Sequence, residues 1–335
     1  MREPTMADIA AHLGVSRQLV SIVLRDMPGA SDATRRRVTD AARELGYSLN
    51  LGARTLRQSR SRQLGVSFVP VHPTEPDVVA AMYPAAAALG YQVVLSAQTG
   101  SRTTGECVEE LMTYRCAAII VIGSDLSAGE LADLAERCGV PLVVVGTAAP
   151  DPRFDVVRST GAHGLSGATD HLVQLGHRAI AYVHSPGLPV APDRRRGHLR
   201  AMRSHGLATD IITTRGPDYT EEAGAAAARG LLARATLPTA VMAANDQAAI
   251  GMLGVLARAG VRVPQDVSVS GFDDSRVAQL SCFDLTTVRQ DPGRMGAAAV
   301  SAAVRRADAP ALAPQTMVVE TELVVRTSTG PPRVR

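Results

Sequence analysis

The segment Thr5-Met-Ala-Asp-Ile-Ala-Ala-His-Leu-Gly-Val-Ser16 runs directly into Arg17-Gln-Leu-Val-Ser-Ile-Val-Leu24. Met6, Ile9, Ala10 and Leu13 recur at the spacing of one helical face, and Thr5 stands where an N-cap belongs. Gly14-Val15 interrupts that pattern, and Ser16 is placed to cap a second short helix whose inward face is Val20, Val23 and Leu24. A third helix is expected from Ser31 to about Leu45, with Val38, Ala41, Ala42 and Leu45 apolar and Gly46 beyond its end. Two short helices joined by a tight glycine turn, with a third packed on them, make a helix-turn-helix. A plain helical bundle would show the same periodicity. What separates the two is the outward face of the second helix, Arg17, Gln18, Ser21, Ile22 and Arg25, an inventory suited to base edges.

Charge agrees with that reading. The chain of 335 residues carries only +3, too little to imply nucleic acid by itself. Residues 1–62 hold eleven arginines against six acids, a surplus of five, which leaves the rest at about −2. Lysine is absent throughout, so every fixed basic contact is an arginine. Cysteines 107, 116, 138 and 282 lack the spacing of a metal site or a disulfide framework, so reduced, buried thiols are expected. The N-terminus has no apolar leader, and the apolar runs are far shorter than the roughly 20 residues that span a bilayer. These features predict a cytoplasmic protein with no membrane partner, no metal and no cofactor.

From Leu64 the texture alternates. Strands are predicted at Leu64–Val69, Gln92–Ser96, Ala117–Ile122, Leu142–Val145, Ala179–Val183, Ile211–Thr213, Thr239–Ala243 and Val267–Gly271. Helical segments such as Val78–Leu89, Gly129–Arg137, Ser166–Leu175 and Glu221–Ala235 separate them. That alternation implies parallel sheets covered on both faces. About eight strands suggest two similar lobes, with a ligand cleft at the strands' carboxyl ends.

These residues carry a resemblance. Thr5–Ser16, Val20-Ser21, Val23-Leu24, Ser31, Thr34-Arg35, Glu44-Leu-Gly-Tyr47, Asn50, Ala53-Arg54 and Leu56 resemble the LacI/GalR family headpiece. In the body the likeness continues through Gly90-Tyr91, Leu175-Gly-His-Arg178, Ala244-Asn-Asp246, Gly271-Phe-Asp-Asp274, Leu285-Thr-Thr-Val288 and Glu322-Leu-Val-Val-Arg326. The family implies an all-α headpiece on an α/β, two-lobed, periplasmic-binding-protein-like body. The expected divisions are a headpiece at 1–49, a hinge helix and linker at 50–62, a first lobe at 63–161 plus about 290–320, and a second at 162–289 plus about 321–330. The implied function is a sequence-specific repressor, a homodimer on a pseudo-palindromic operator in double-stranded DNA, controlled by a small carbohydrate between the lobes.

The resemblance assigns roles to individual residues. Arg17 and Gln18 read bases, and Ser16, Ser31 and Thr34 meet the DNA backbone. Ile22 stands where relatives commonly carry a polar reader; it either meets a thymine methyl or packs against the headpiece. Arg35–Arg37 is expected to be a solvated face that adds salt-dependent affinity. Asn50, Ala53 and Leu56 fall in the hinge, with Leu56 as the minor-groove wedge. Arg194, Tyr219, Asn245 and Asp273 are the ligand residues; Tyr219 stands out in a chain with 3% aromatics. Asp246 is expected to cap the following helix and Asp274 to serve a loop. Thr160-Gly161 and Thr74-Glu75 depart from the family's usual Asp-Asn and paired aromatics, which unsettles the first lobe's chemistry. Val71, His72 and Glu75 are secondary candidates there. His171 and His177 are read as marking a helix end.

No nucleophile elbow, P-loop or dinucleotide fingerprint occurs, so an enzyme with a DNA arm is disfavoured. A sugar-transport protein with the same body is disfavoured by the headpiece. A DNA binder whose cleft has stopped sensing sugars stays open. With no leucine heptads after Arg326, a dimer without a tetramerising coil is expected.

Overall fold

The computed structural model describes residues 4–24, 27–47, 61–124, 126–146, 150–186, 190–214 and 220–333. The chain divides into two compact units, Met1–Ser61 and Arg62–Arg335.

The first unit holds α1 (Met6–Leu13), α2 (Arg17–Leu24) and α3 (Asp32–Glu44). The Asp8 carboxylate accepts from the Thr5 amide and hydroxyl, each at 2.7 Å, which fixes the start of α1. Gly14 ends the helix at φ 66°, a conformation that costs glycine little, and α2 leaves at a bend of 114°. Ser16 Oγ accepts from the Leu19 amide at 3.1 Å, and Ser31 Oγ from the Thr34 amide at 3.3 Å, so both serines are helix caps. Ile9, Ala10, Val20, Val23, Val38, Ala41 and Ala42 close the core, as the periodicity predicts.

The second unit contains two parallel sheets. The first is built from β1 (Gln63–Phe68), β2 (Gln92–Ala97), β3 (Ala118–Ile122), β4 (Leu142–Val145), β5 (Asp155–Ser159) and β11 (Thr316–Val319), in the order β11-β5-β4-β3-β1-β2. Strand β3 shows why both faces must be covered: all five residues are buried. Ala118, Ile120 and Ile122 face α4 (Glu75–Ala88) and α11 (Pro292–Asp308), whereas Ile119 and Val121 face α5 (Thr104–Thr113) and α6 (Ala128–Cys138).

The second sheet runs β7 (Asp210–Thr213), β6 (Ile180–His184), β8 (Ala240–Met242), β9 (Ser268–Ser270). Ala181, Val183 and Val241 pack with α9 (Glu221–Leu232) and α10 (Asp246–Arg258). Ile180, Tyr182 and Met242 pack with residues of α7 (Gly161–Gln174) and α8 (Ala191–Ser204). An antiparallel pair, β10 (Thr287–Arg289) with β12 (Glu322–Val324), completes this side.

The chain crosses between the sheets at residues 159–161, 289–292 and 319–322, and the crossings are tied together. Thr160 N–H donates to the Val319 carbonyl at 3.0 Å, Thr321 N–H donates to Thr160 Oγ1 at 3.0 Å, and Ser159 Oγ donates to Gln290 Oε1 at 2.7 Å.

Twelve strands are present among the described residues, not about eight. The additional ones are β5, β10, β11 and β12, which are short and leave at least one residue outside the core. Helix α7 begins at Gly161 and α4 at Glu75, several residues before their apolar periodicity starts. Cys107, Cys116 and Cys138 are buried, but Cys282 is exposed, contrary to expectation. Among the described residues, no single helix is long and apolar enough to cross a membrane, and no group of three or more His, Cys, Asp or Glu could hold a metal.

Candidate functional site

In the first unit, α2 buries Val20 and Val23 and turns Arg17 and Gln18 outward, both exposed at its N-terminal end. Ile22 is half-buried, with its side chain leaning toward the turn at Gly29. Ser16 and Ser31 are exposed beside the backbone amides they cap, and Thr34 Oγ1 lies 2.9 Å from Ser31 Oγ. This leaves a polar helix N-terminus with two flexible donors ready for an anion or a base edge. Arg36 and Arg37 are exposed, whereas Arg35 is half-buried and donates to the Met27 carbonyl at 2.5 Å. The triple-arginine run is therefore only partly a solvated face. Asn50, Ala53 and Leu56 lie outside the described residues, as does Tyr219.

In the second unit, a cavity of about 610 Å³ lies where the strands' carboxyl ends open between the two sheets. Val69 follows β1, Gly123 and Ser124 follow β3, and Gly146 follows β4; all four line it. Arg194 on α8 lines it from the other side, 6% exposed. Its Nη1 donates to the Ala244 carbonyl at 2.8 Å and its Nη2 to Asp273 Oδ1 at 3.3 Å. The guanidinium carbon sits 3.8 Å from the centre of the Phe272 ring.

Asp273 and Asp274 have φ 122° and 55°, two consecutive residues in the region that favours glycine. This sharp turn aims their carboxylates apart. Asp273 meets Arg194 and accepts from Gln290 Nε2 at 2.7 Å; Asp274 accepts from Arg289 Nε at 2.7 Å and Arg326 Nη2 at 2.6 Å. Burial raises the Asp273 carboxyl pKa, and the charge of Arg194 only partly opposes it.

Of the expected second-lobe residues, Arg194, Asn245 and Asp273 thus meet in one place, but in unequal positions. Arg194 faces the cavity, while Asp273 lies behind it as its partner and does not line the space. Asn245 is the N-cap of α10, its Oδ1 accepting from the Ala248 amide at 2.9 Å, and it too lies off the cavity wall. The cap is Asn245 and not Asp246 as expected: Asp246 is the first helical residue. Its buried carboxylate takes the Thr287 hydroxyl at 2.5 Å and the Ser275 amide at 2.7 Å. Burial, and then the neighbouring Asp273 charge, push its pKa up to about 7.

The first lobe supplies Val71, His72 and Glu75 to the cavity. Glu75 is 5% exposed; its Oε2 accepts from the Val69 amide at 2.7 Å, and burial raises its pKa to about 7. His72 Nδ1 accepts from Thr74 N–H at 3.4 Å, and burial lowers its pKa. Thr160 belongs to the crossing and bonds Thr321, while Gly161 lies against Asp193 and Arg194. His177 is buried, its ring between Thr239 Oγ1 and the Gly330 carbonyl. Sequence reasoning missed Gln247, Gln290 and Glu221 on the wall, and the aliphatic residues Ile122, Val144, Val145 and Met295. Position after a strand could have flagged Gly123, Ser124 and Gly146; the aliphatics read as core.

Residues 5–50 match the model of the bacterial regulatory proteins of the lacI family, and residues 169–329 match the periplasmic binding protein-like domain. The HTH-type transcriptional regulator CelR of Thermobifida fusca is 32% identical over 98% of both chains. The chain belongs to the LacI family. LacI-family members are transcriptional regulators, and this chain has their helix-turn-helix and two-lobed body. A LacI transcriptional regulator from a Rhodococcus species is 40% identical, with a TM-score of 0.77 over 82% of this chain and all of that one. A lac repressor dimer bound to operator and an anti-inducer superposes with a TM-score of 0.83 at 27% identity, over 98% of this chain and all of that one. A CelR–cellobiose complex gives 0.71 at 30% identity, over 97% and 99%.

Proposed function

We propose that the chain is a cytoplasmic repressor that binds a pseudo-palindromic operator as a homodimer and responds to a small carbohydrate held between its lobes. The observation that carries this is the exposure of Arg17 and Gln18 at the start of a Ser16-capped helix whose opposite face is locked into the core. In a major groove, Arg17 suits the O6/N7 edge of guanine and Gln18 the N6/N7 edge of adenine. Ser16, Ser31 and Thr34 then meet phosphates and set register. Asn50, Ala53 and Leu56 enter the minor groove, Leu56 as the wedge.

The effector is held through Arg194, backed by Asp273, with Asn245 ordering the adjacent helix start and Tyr219 stacking. The operator in the lac repressor complex and the cellobiose in the CelR complex support these two partner classes. Effector and operator affinities are then linked reciprocally, each changing the other by the same factor.

Selection of bound fragments from genomic DNA by the full chain tests the reading without any ligand. The expected motif is an inverted repeat with half-sites about 10 base pairs apart, centre to centre. A sugar panel added to the recovered operator in an anisotropy assay tests the sensor. Recovery of no inverted motif would overturn the repressor reading.

A further inference from the structure

The first lobe's share of the cavity has an unusual chemistry for a carbohydrate. Its walls include Val69, Val78, Ile122, Val144, Val145 and Met295, and no Phe, Tyr or Trp ring lines the space among the described residues. Its polar groups are largely satisfied by one another. Ser124 Oγ accepts from the Leu126 amide at 3.0 Å, and Thr74 Oγ1 lies 3.3 Å from His72 Nδ1. Two groups stand apart: His72, whose Nε2 has no hydrogen bond among the described residues, and Glu75, which is the more deeply buried. Glu75 Oε2 is held by the Val69 amide, while Oε1 has no hydrogen bond among the described residues; His72 Nδ1 lies 3.8 Å from it.

That oxygen rests in a niche made by a missing side chain. Gly123 has φ 62°, and a Cβ there would overlap the Glu75 carboxylate. A polyhydroxylated ring in this half would turn several hydroxyls toward aliphatic carbon and leave them without partners. An amine on an apolar frame would not: its N–H meets Glu75 Oε1 and its carbon meets the aliphatic wall. The polar groups Thr220, Glu221, Gln247, Gln290 and Arg194 on the remaining wall serve the rest of the molecule.

We infer that the effector presents to Glu75 an amine carried on a largely apolar frame, which for a carbohydrate means an aminodeoxy sugar. This rests on the reading of the cavity as the sensor. Burial raises the Glu75 pKa to about 7, and an arriving cation would act against that, favouring the ionised form.

The test compares two probes on the full chain by calorimetric titration: the methyl glycoside of a dimethylamino-dideoxyhexose, and the same glycoside with hydroxyl in place of the dimethylamino group. The amine is expected to bind about tenfold tighter or more. Glu75→Gln can keep its oxygen on the Val69 amide and turn its NH₂ into the niche, so the preference should vanish while the circular dichroism spectrum is unchanged. Should Glu75→Gln unfold, Glu75→Asp, whose carboxylate withdraws by one methylene, carries the same comparison. Equal binding of the two probes, an amine preference that survives both variants, or no binding of the amine would overturn the inference. A hydroxyl glycoside that binds regardless of Glu75 would overturn it and leave the carbohydrate reading standing. The operator selection uses neither probe and decides the repressor reading separately.

Discussion

Arg194 and Asp273 form an ion pair at 3.3 Å in which both side chains are almost completely buried. Removing one member of such a pair leaves the other charge without compensation in a medium that solvates it poorly. Asp273→Ala is therefore expected to cost about 3–5 kcal/mol in urea unfolding. Because the guanidinium lies over the Phe272 ring, the double change Arg194→Met with Asp273→Asn, whose side chain tolerates the positive φ and keeps an oxygen for Gln290 Nε2, should restore much of the loss. Single losses that simply add in the double variant would mean the two residues are not coupled.

Asp246 predicts a pH dependence with a definite sign. Its folded pKa is raised to about 7 from a usual 3.8, chiefly by burial and then by the charge of Asp273. A carboxyl whose folded pKa is raised favours the native state when protonated. Its contribution is complete below about pH 4 and is lost as pH rises through about 7. Asp246→Asn keeps an oxygen for the Ser275 amide and offers an NH₂ to the Thr287 hydroxyl, which can rotate to accept. Relative to the native chain, this variant should gain stability between pH 5 and pH 8, on the order of a few kcal/mol. Urea midpoints that run parallel for the two proteins across that range would contradict the assignment.

How legible these features were in the sequence follows from how each residue is used. The headpiece was readable because periodicity, caps and turn all act within a few residues. Strand β3 was readable because a strand covered on both faces is a continuous apolar run. Strands β5 and β11 were not: Asp155-Val-Val-Arg-Ser159 and Thr316-Met-Val-Val319 pair at the far side of the sheet, where tertiary pairing and not pattern decides. At the site, Arg194 was reached through its resemblance to family members. The aliphatic wall was invisible, because a valine facing a cavity and one facing a helix read alike. Asn245 and Asp246 are both good capping residues, and the expectation that Asp246 is the cap was wrong: nothing local separates the two, and it is Asn245 that the Ala248 amide bonds.

Gly123 gives a test that separates backbone strain from contact. Gly123→Ala places a Cβ in the left-handed region, at roughly 1–2 kcal/mol, and also against the Glu75 carboxylate. Gly139, at φ 63° with open space around it, supplies the control, since Gly139→Ala meets only the backbone penalty. Thermal unfolding should show Gly123→Ala as the more destabilised of the two, and effector response should be lost in it alone. Equal losses in both variants would remove Glu75 from the account of Gly123.

The headpiece predictions turn on which contacts carry sequence information. Arg17→Ala and Gln18→Ala should each relax base preference at one position of each half-site, by about 1–3 kcal/mol of discrimination. Arg36→Ala and Arg37→Ala, exposed on α3, should weaken all sequences alike and flatten the dependence of affinity on salt. Ser16→Ala removes a cap as well as the proposed phosphate donor, so part of its effect, roughly 0.5–2 kcal/mol, should appear in headpiece stability without DNA. Ile22 divides two readings, because it is only partly buried and its side chain also reaches the Gly29 turn. If it reads a thymine methyl, Ile22→Ala changes the preferred base at one step; if it packs, the variant lowers stability and leaves the selected motif intact. Site selection run beside thermal unfolding on the same variant distinguishes them, since only a contact with DNA can alter the motif.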